Sequence, residues 1–348
     1  MRSSGSLGLL AVLLSFAFNI LASPLATPEN TNTTIASRAD SSKVGYFFVH
    51  FYDRQPAIFA HLSNGNNPTS YKALNADRAI LVPTGGTKAA RDPYLVSAPD
   101  DSRHFIIATD LDINAIGGDW GRAVSQGSKS LHIWESTDLV NWDNYRLVQV
   151  IGSTAGMAWA PEAVWDSSRG AFLVHWASRL YAASDTAHTG TATRDQIMYA
   201  YTNDFRTFTA AQPYIAASWP VIDLTILSLG GSSYARFVKD ETINRIYEER
   251  SNNGLFGTWT RVGGSSAVIT TTTTEGPLVF QDNRTPGLVH LFLDAYTTAA
   301  GYVPFQTNNI DQGPWTASST SGFPTLLKHG VVKPVNQAQY NAIQAKWP

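Results

Sequence analysis

The chain has no cysteine, which excludes disulfides, thiolate nucleophiles and cysteine-ligated metal centres. It also lacks charge of a dominant sign, since 348 residues sum to a formal net charge of −2. That balance argues against nucleic acid and against anionic membrane surfaces as partners. No apolar run of about 20 residues follows the N-terminal one, so no membrane span is expected. Helical periodicity is nearly missing too. From Val44 onward the pattern is short alternating strands separated by polar turns. Aromatics, in contrast, are plentiful, with 10 tryptophans and 14 tyrosines. They are ordinary core material, and they also suit a cleft for a flat ligand such as a sugar.

Residues 1–23 read as a secretory signal peptide. Arg2 supplies the positive start, Leu7 to Leu21 the apolar core, and Ala22-Ser23 a small-residue exit. Residues 24–43 are rich in Thr, Asn, Ser and Pro and carry the sequon Asn32-Thr33-Thr34. They read as a disordered, glycosylated lead-in. A second sequon, Asn283-Arg284-Thr285, falls in a polar turn. The expectation is a secreted, extracellular glycoprotein whose residues 44–348 form one domain, a length that buries ample core without cross-links.

Within that domain a turn of the form Ser/Thr-Asx-x-x-aromatic recurs, because Asx side chains bond the nearby backbone. The clearest copies are Ser136-Thr137-Asp138-Leu139-Val140-Asn141-Trp142 and Thr202-Asn203-Asp204-Phe205-Arg206-Thr207-Phe208. Looser copies begin at Ser63, Ser251 and Thr307. Their spacing of roughly 50 to 70 residues implies five similar units. Four can each be written as four strands, and the fifth joins Gly330–Val335 to Tyr46–Phe51 and Ala57–Leu62. The fold expected is therefore all-β, a five-bladed β-propeller closed by N- and C-terminal strands, with a short terminal helix after Asn336.

In such a fold the starts of the inner strands and the ends of the second strands share one rim. The inner-strand starts bring Asp92, Glu162, Asp223, Glu275 and His329 to that rim. The second-strand ends bring Asp110, Arg179, Lys239, Asp240, Glu241 and Asp294. An acid at the mouth of an apolar strand serves no packing purpose, and three of them, Asp92, Asp223 and Glu275, come from three different units. Glycoside hydrolysis needs one carboxylic acid to protonate the leaving oxygen and one carboxylate to activate water or attack carbon. A third acid close by can hold the first protonated, since like charges raise a pKa. Trp159, with Trp120 and Trp219 alongside, would line the cleft. Asp110, Arg179 and Lys239 are further substrate-binding candidates, and Glu162 reads as a rim or structural residue.

The chain resembles glycoside hydrolase family 43, five-bladed propellers acting on arabinose- and xylose-containing polysaccharides. The stretches that carry the resemblance include Arg91-Asp92-Pro93-Tyr94, Trp159-Ala160-Pro161-Glu162-Ala163, Val221-Ile222-Asp223, Thr274-Glu275-Gly276-Pro277 and His329-Gly330. It implies an inverting enzyme with Asp92 as general base, Glu275 as general acid, and Asp223 as the acid that tunes and orients Glu275. It implies that no cofactor is required. His329 matches a histidine of the axial channel that can stand near a structural calcium or sodium ion. The implied activity is an exo-acting α-L-arabinofuranosidase, a monomer acting on plant cell-wall polysaccharide. The alternatives are a β-xylosidase or endo-arabinanase of the same family, or a propeller that binds glycans without cutting them. The segments 111–129 and 180–195 are long enough to wall off a pocket, which favours exo action. One departure from the family pattern is Arg-Asp-Pro where His-Asp-Pro or Ala-Asp-Pro is usual. Propellers acting on fructosides also carry Arg-Asp-Pro, but with Asn-Asp-Pro-Asn-Gly and Glu-Cys motifs that this chain lacks.

Overall fold

The computed structural model describes residues 40–348. The expected signal peptide (1–23), most of the lead-in (24–43) and the sequon at Asn32 lie outside the described residues. Five four-stranded antiparallel sheets make up almost the whole of the rest. Their inner strands are Ala90–Ser97 (blade I), Trp159–Asp166 (II), Val221–Gly230 (III), Glu275–Gln281 (IV) and Lys328–Asn336 (V). Each inner strand packs against the inner strands of the two neighbouring blades, and blade V meets blade I, so the ring is closed. This is the five-bladed β-propeller expected from the repeat.

Closure uses both ends of the chain. The inner strand of blade V pairs antiparallel with Lys43–Tyr52, with Val49 opposite Val331 and Phe47 opposite Lys333. Helix α2 (Gln337–Lys346) then folds back on the same blade. Asn336 starts it with a capping box, its side chain accepting from the Gln339 N–H while the Gln339 side chain accepts from the Asn336 N–H. Trp347, just past its end, stacks on Phe47 with planes 4° apart.

Between blades the core is aromatic. Phe105, Phe172 and Phe205 fill the gap between blades I and II, with Phe105 and Phe205 centroids 4.2 Å apart. Phe48, Phe280, Phe292 and Tyr302 do the same between IV and V. Each fully buried ring contributes about 2–3 kcal/mol of apolar burial. The repeated turn has a common mechanism. Ser136 Oγ accepts the N–H groups of Asp138 and Leu139, and Thr202 Oγ1 those of Asp204 and Phe205. Ser251 and Thr307 accept from Asn253 and Asn309 in the same way. The blade V copy differs, since Ser63 Oγ accepts from the Tyr46 N–H and donates to the Gly65 carbonyl.

Two findings bear on the sequence reading. The segment 111–129, expected as an insertion that could wall off a pocket, contains helix α1 (Trp120–Gln126), started by Asp119, whose carboxylate accepts the Arg122 N–H. It is tied to the second insertion through His188, whose ring nitrogens lie 2.6 Å from the Ser125 carbonyl oxygen and 2.9 Å from that of Ser153. The second finding concerns Asn283, which is buried rather than displayed on a turn. Its side-chain nitrogen donates to Asn66 Oδ1 (2.7 Å) and to the Gly45 carbonyl (3.3 Å), so it does not offer an open glycosylation site.

Candidate active site

In blades I to IV the inner strand begins with a local irregularity in its pairing to the second strand. The pairing skips between Arg91 and Tyr94, Trp159 and Glu162, Ile222 and Thr225, and Glu275 and Leu278. The residue at each bulge has positive φ: Asp92 (48°), Ala160 (46°), Asp223 (50°) and Gly276 (52°). Such a conformation is uncommon for a residue with a Cβ, and aspartate is among those that tolerate it best. A bulge re-aims a side chain, and local strain of this kind gathers at functional sites. Asp92 and Asp223 therefore occupy equivalent positions. Glu275 does not. It stands one residue earlier, opposite Asp294, and its longer side chain starts from the unbulged position. Gly276 takes the bulge instead, and a Cβ there would sit 3.0 Å from the His329 ring, too close for any other residue without a shift.

His329 stands among these strand starts. Its Nδ1 lies 3.9 Å from Asp92 Oδ1 and 3.9 Å from Asp223 Oδ1, and its Nε2 lies 3.6 Å from Glu162 Oε1. One imidazole thus touches carboxylates from blades I, II and III, and its ring packs on the glycine of blade IV. Burial alone would strip its proton, but Glu162, Asp223 and Asp92 outweigh that and push its pKa up to about 9. Glu162 is pushed up to about 7 because it is fully buried, an effect His329 partly offsets. Its Oε2 is buried with no hydrogen-bond partner.

Asp223 reaches the next blade. Its Oδ2 accepts the Gly276 N–H at 3.0 Å, immediately after Glu275 in the chain. Glu275 Oε2 accepts from Lys239 Nζ at 2.8 Å, and the same ammonium lies 2.6 Å from Glu241 Oε1 and 4.7 Å from the centre of the Tyr296 ring. Burial would lower the Lys239 pKa, yet Glu275, Asp223 and Glu241 together raise it. Burial raises Glu241, with Lys239 opposing. Asp294 is pushed up to about 7, chiefly by burial, with Lys328 3.4 Å away acting against it. The carboxylates differ in exposure: the Glu275 side chain is 30% exposed, Asp92 18% and Asp223 9%.

The other candidates divide. Trp159 packs on Leu111, Ile113 and Ala123 and meets Trp120 edge to face at 6.0 Å, while Trp219 lies half-buried between blades II and III. Asp110, expected in the cleft, is instead a buried structural group. Thr87 donates to it through both N–H and hydroxyl, and His132 Nε2 lies 3.2 Å away. Burial pushes it up, but those bonds outweigh burial and hold its pKa at about 2. Arg179 has its Nε and Nη2 taken up by Asp195, both at 2.8 Å. Among the described residues no group of three or more His, Cys, Asp or Glu side chains is arranged to hold a metal ion. His329, expected beside an axial ion, has one carboxylate oxygen each of Asp92, Glu162 and Asp223 within 3.9 Å of its ring nitrogens.

Sequence reasoning missed two contributors. Tyr302 Oη donates to the Gly276 carbonyl and accepts the Gly330 N–H, both at 2.8 Å, fastening blades IV and V at the site. Asp53 accepts from Arg91 (3.2 Å) and lies 3.6 Å from Lys328. No local pattern marks these residues, because their partners are 26 or more positions away in the chain. A cavity of about 510 Å³, lined by Val148, Ile151, Leu180, Met198, Phe208 and Arg206 among others, lies at the outer edge between blades I and II and contains none of the acids.

Residues 41–341 match a family described as a probable glycosyl hydrolase domain related to glycosyl hydrolase family 43. The chain is 31% identical over 227 residues to an α-L-arabinofuranosidase of Bifidobacterium longum subsp. longum, covering 60% of this chain and 20% of that protein. It therefore spans about a fifth of the length of this curated relative. Among solved structures it is similar to a thermostable family-43 glycoside hydrolase (19% identity, TM-score 0.46, covering 68% and 73% of the two chains). It is also similar to an exo-β-1,3-galactanase of Phanerochaete chrysosporium (14% identity, TM-score 0.45, covering 68% and 52%).

Proposed function

The chain belongs to the glycosyl hydrolases related to family 43, and from that premise we propose that it is a secreted, inverting, exo-acting α-L-arabinofuranosidase. Asp92 is its general base, Glu275 its general acid, and Asp223 the residue that orients Glu275. One observation carries the division of roles: the graded exposure of three clustered carboxylates. Glu275 and Asp92 keep open surface, while Asp223 is recessed and bonds the backbone next to Glu275. Two acids that meet substrate and one that acts through another suit acid–base hydrolysis of a glycoside, and the inversion proposed calls for the two outer carboxyl groups to stand about 6.5–9.5 Å apart.

Glu275 gives its proton to the glycosidic oxygen as the bond to the anomeric carbon breaks. Asp92 takes a proton from the water that attacks the opposite face of that carbon, and the sugar leaves with inverted configuration. Displacement by such a pair needs no cofactor. Arabinose as the sugar released is supported by the activity named for the Bifidobacterium relative. Exo action is supported by the two insertions at this rim, which His188 ties together.

The test is hydrolysis of p-nitrophenyl α-L-arabinofuranoside and β-D-xyloside by the wild type and by Glu275→Ala, alongside arabinan and arabinoxylan. Turnover of the arabinoside, lowered about 10²-fold or more in the variant as for a general acid, supports the reading. Unchanged turnover in Glu275→Ala sinks the assigned roles. Preference for the xyloside or for internal cleavage of arabinan replaces the specificity. NMR of the first-formed anomer checks inversion.

A further inference from the structure

We propose that Trp120 is the platform of a second sugar subsite, taking a pyranose ring of the polysaccharide adjacent to the bond being cut. The position of that bond rests on the hydrolase reading above, while the binding itself does not.

Trp120 is 50% exposed, and of the ten tryptophans it alone is exposed. Leaving an indole open forgoes the apolar burial that the other nine obtain at least in part. It is also braced, which an incidental surface ring need not be. Its helix is pinned by Ala123, buried with Leu111 and Ile113. Its ring meets Trp159 edge to face at 83°, and the Arg91 guanidinium lies 5.7 Å from its centre. Arg91 is fixed in turn by Phe51, 4.6 Å away, and by Asp53.

The surroundings select the ligand. Arg91 immediately precedes Asp92 in the chain, so the platform stands at the start of the blade I inner strand, outside the cluster around His329. Beside it the Asp53 side chain is 55% exposed, with Arg91 and Lys328 on its two oxygens. An open indole bordered by an exposed carboxylate and a guanidinium matches a ring with one C–H face and a rim of hydroxyls. The C–H face covers the indole, and the hydroxyls donate to Asp53. A six-membered ring covers a bicyclic indole better than a smaller, puckered furanose does. A purely apolar ligand would leave the charged border unused.

Calorimetric titration in a Glu275→Gln background separates binding from turnover, with xylotetraose, β-1,3-galactotetraose and α-1,5-arabinotetraose as probes. The expected result is that one of the two pyranose probes binds and that adding Trp120→Ala raises its Kd roughly 3- to 10-fold, the range for losing one aromatic face contact. Trp120→Phe should restore part of that loss, with the far-ultraviolet dichroism of both variants unchanged. No binding of either pyranose probe, or a Kd unmoved by Trp120→Ala, overturns the subsite. A Trp120 effect on arabinotetraose alone overturns the pyranose assignment. If the wild type cleaves no glycoside yet the Trp120-dependent Kd is found, the hydrolase reading fails and the subsite stands.

Discussion

Lys239 of blade III donates to Glu275 of blade IV at 2.8 Å and holds Glu241 of its own blade with the same nitrogen. The lysine side chain is 4% exposed while Glu275 is 30% exposed, so the cation works from beneath and leaves part of the carboxylate facing outward. Glu275 is thereby positioned from two sides, through its side chain by Lys239 and through the next peptide by Asp223.

Replacing Lys239 by Met keeps most of the packing volume and removes the anchor. Glu275 should lose its fixed rotamer, and misplacing a catalytic group by about 1 Å can cost up to about 10²-fold in rate. We expect kcat on the preferred aryl glycoside to fall by at least about 10-fold, with a stability loss of roughly 1–3 kcal/mol for the broken charged bonds. Steady-state kinetics and urea denaturation measure the two. A variant with full kcat shows that Lys239 does not position Glu275.

His329 and Glu162 make stability depend on pH in a definite direction. Both have folded-state values raised above their ordinary ones, to about 9 and about 7. The native state then binds protons more tightly than the unfolded chain, so stability falls as pH rises. The Glu162 contribution is lost from about pH 4.5 to 7 and the His329 contribution from about pH 6.5 to 9. We expect the thermal midpoint to decline between pH 7 and 9 and the decline to be smaller in His329→Gln. A midpoint independent of pH across that window in the wild type contradicts a charged His329.

Asn283 provides a test of the fold against a sequence motif. Its amide nitrogen is buried and bonded to Asn66 and Gly45, so no oligosaccharide can be carried there by the folded chain. Peptide mass spectrometry of protein secreted from a eukaryotic host should find Asn283 unmodified. Substitution by Ala should lower stability by about 1–3 kcal/mol, because partners are left unpaired. Occupancy of Asn283 by glycan is incompatible with this packing.

The sequence by itself determined the number of blades, the closure by the two ends, and the identity of the acids at the strand mouths. Those features are local: alternation, a Ser/Thr-Asx turn at each repeat, and an acid where a strand begins. Tertiary structure decided what each charged group meets. Asp110 closes one apolar strand and Asp223 opens another, and the sequence brings both to one rim, yet one is sealed by Thr87 and His132 and the other reaches Gly276 of the next blade. The one-residue offset of Glu275 from Asp92 and Asp223 depends on where each strand bulges, which pairing fixes and composition does not. The raised pKa of His329 follows from three carboxylates supplied by chain segments 106 to 237 residues away. A pKa is set by neighbours in space, and around a closed ring those neighbours are the residues that the sequence keeps furthest apart.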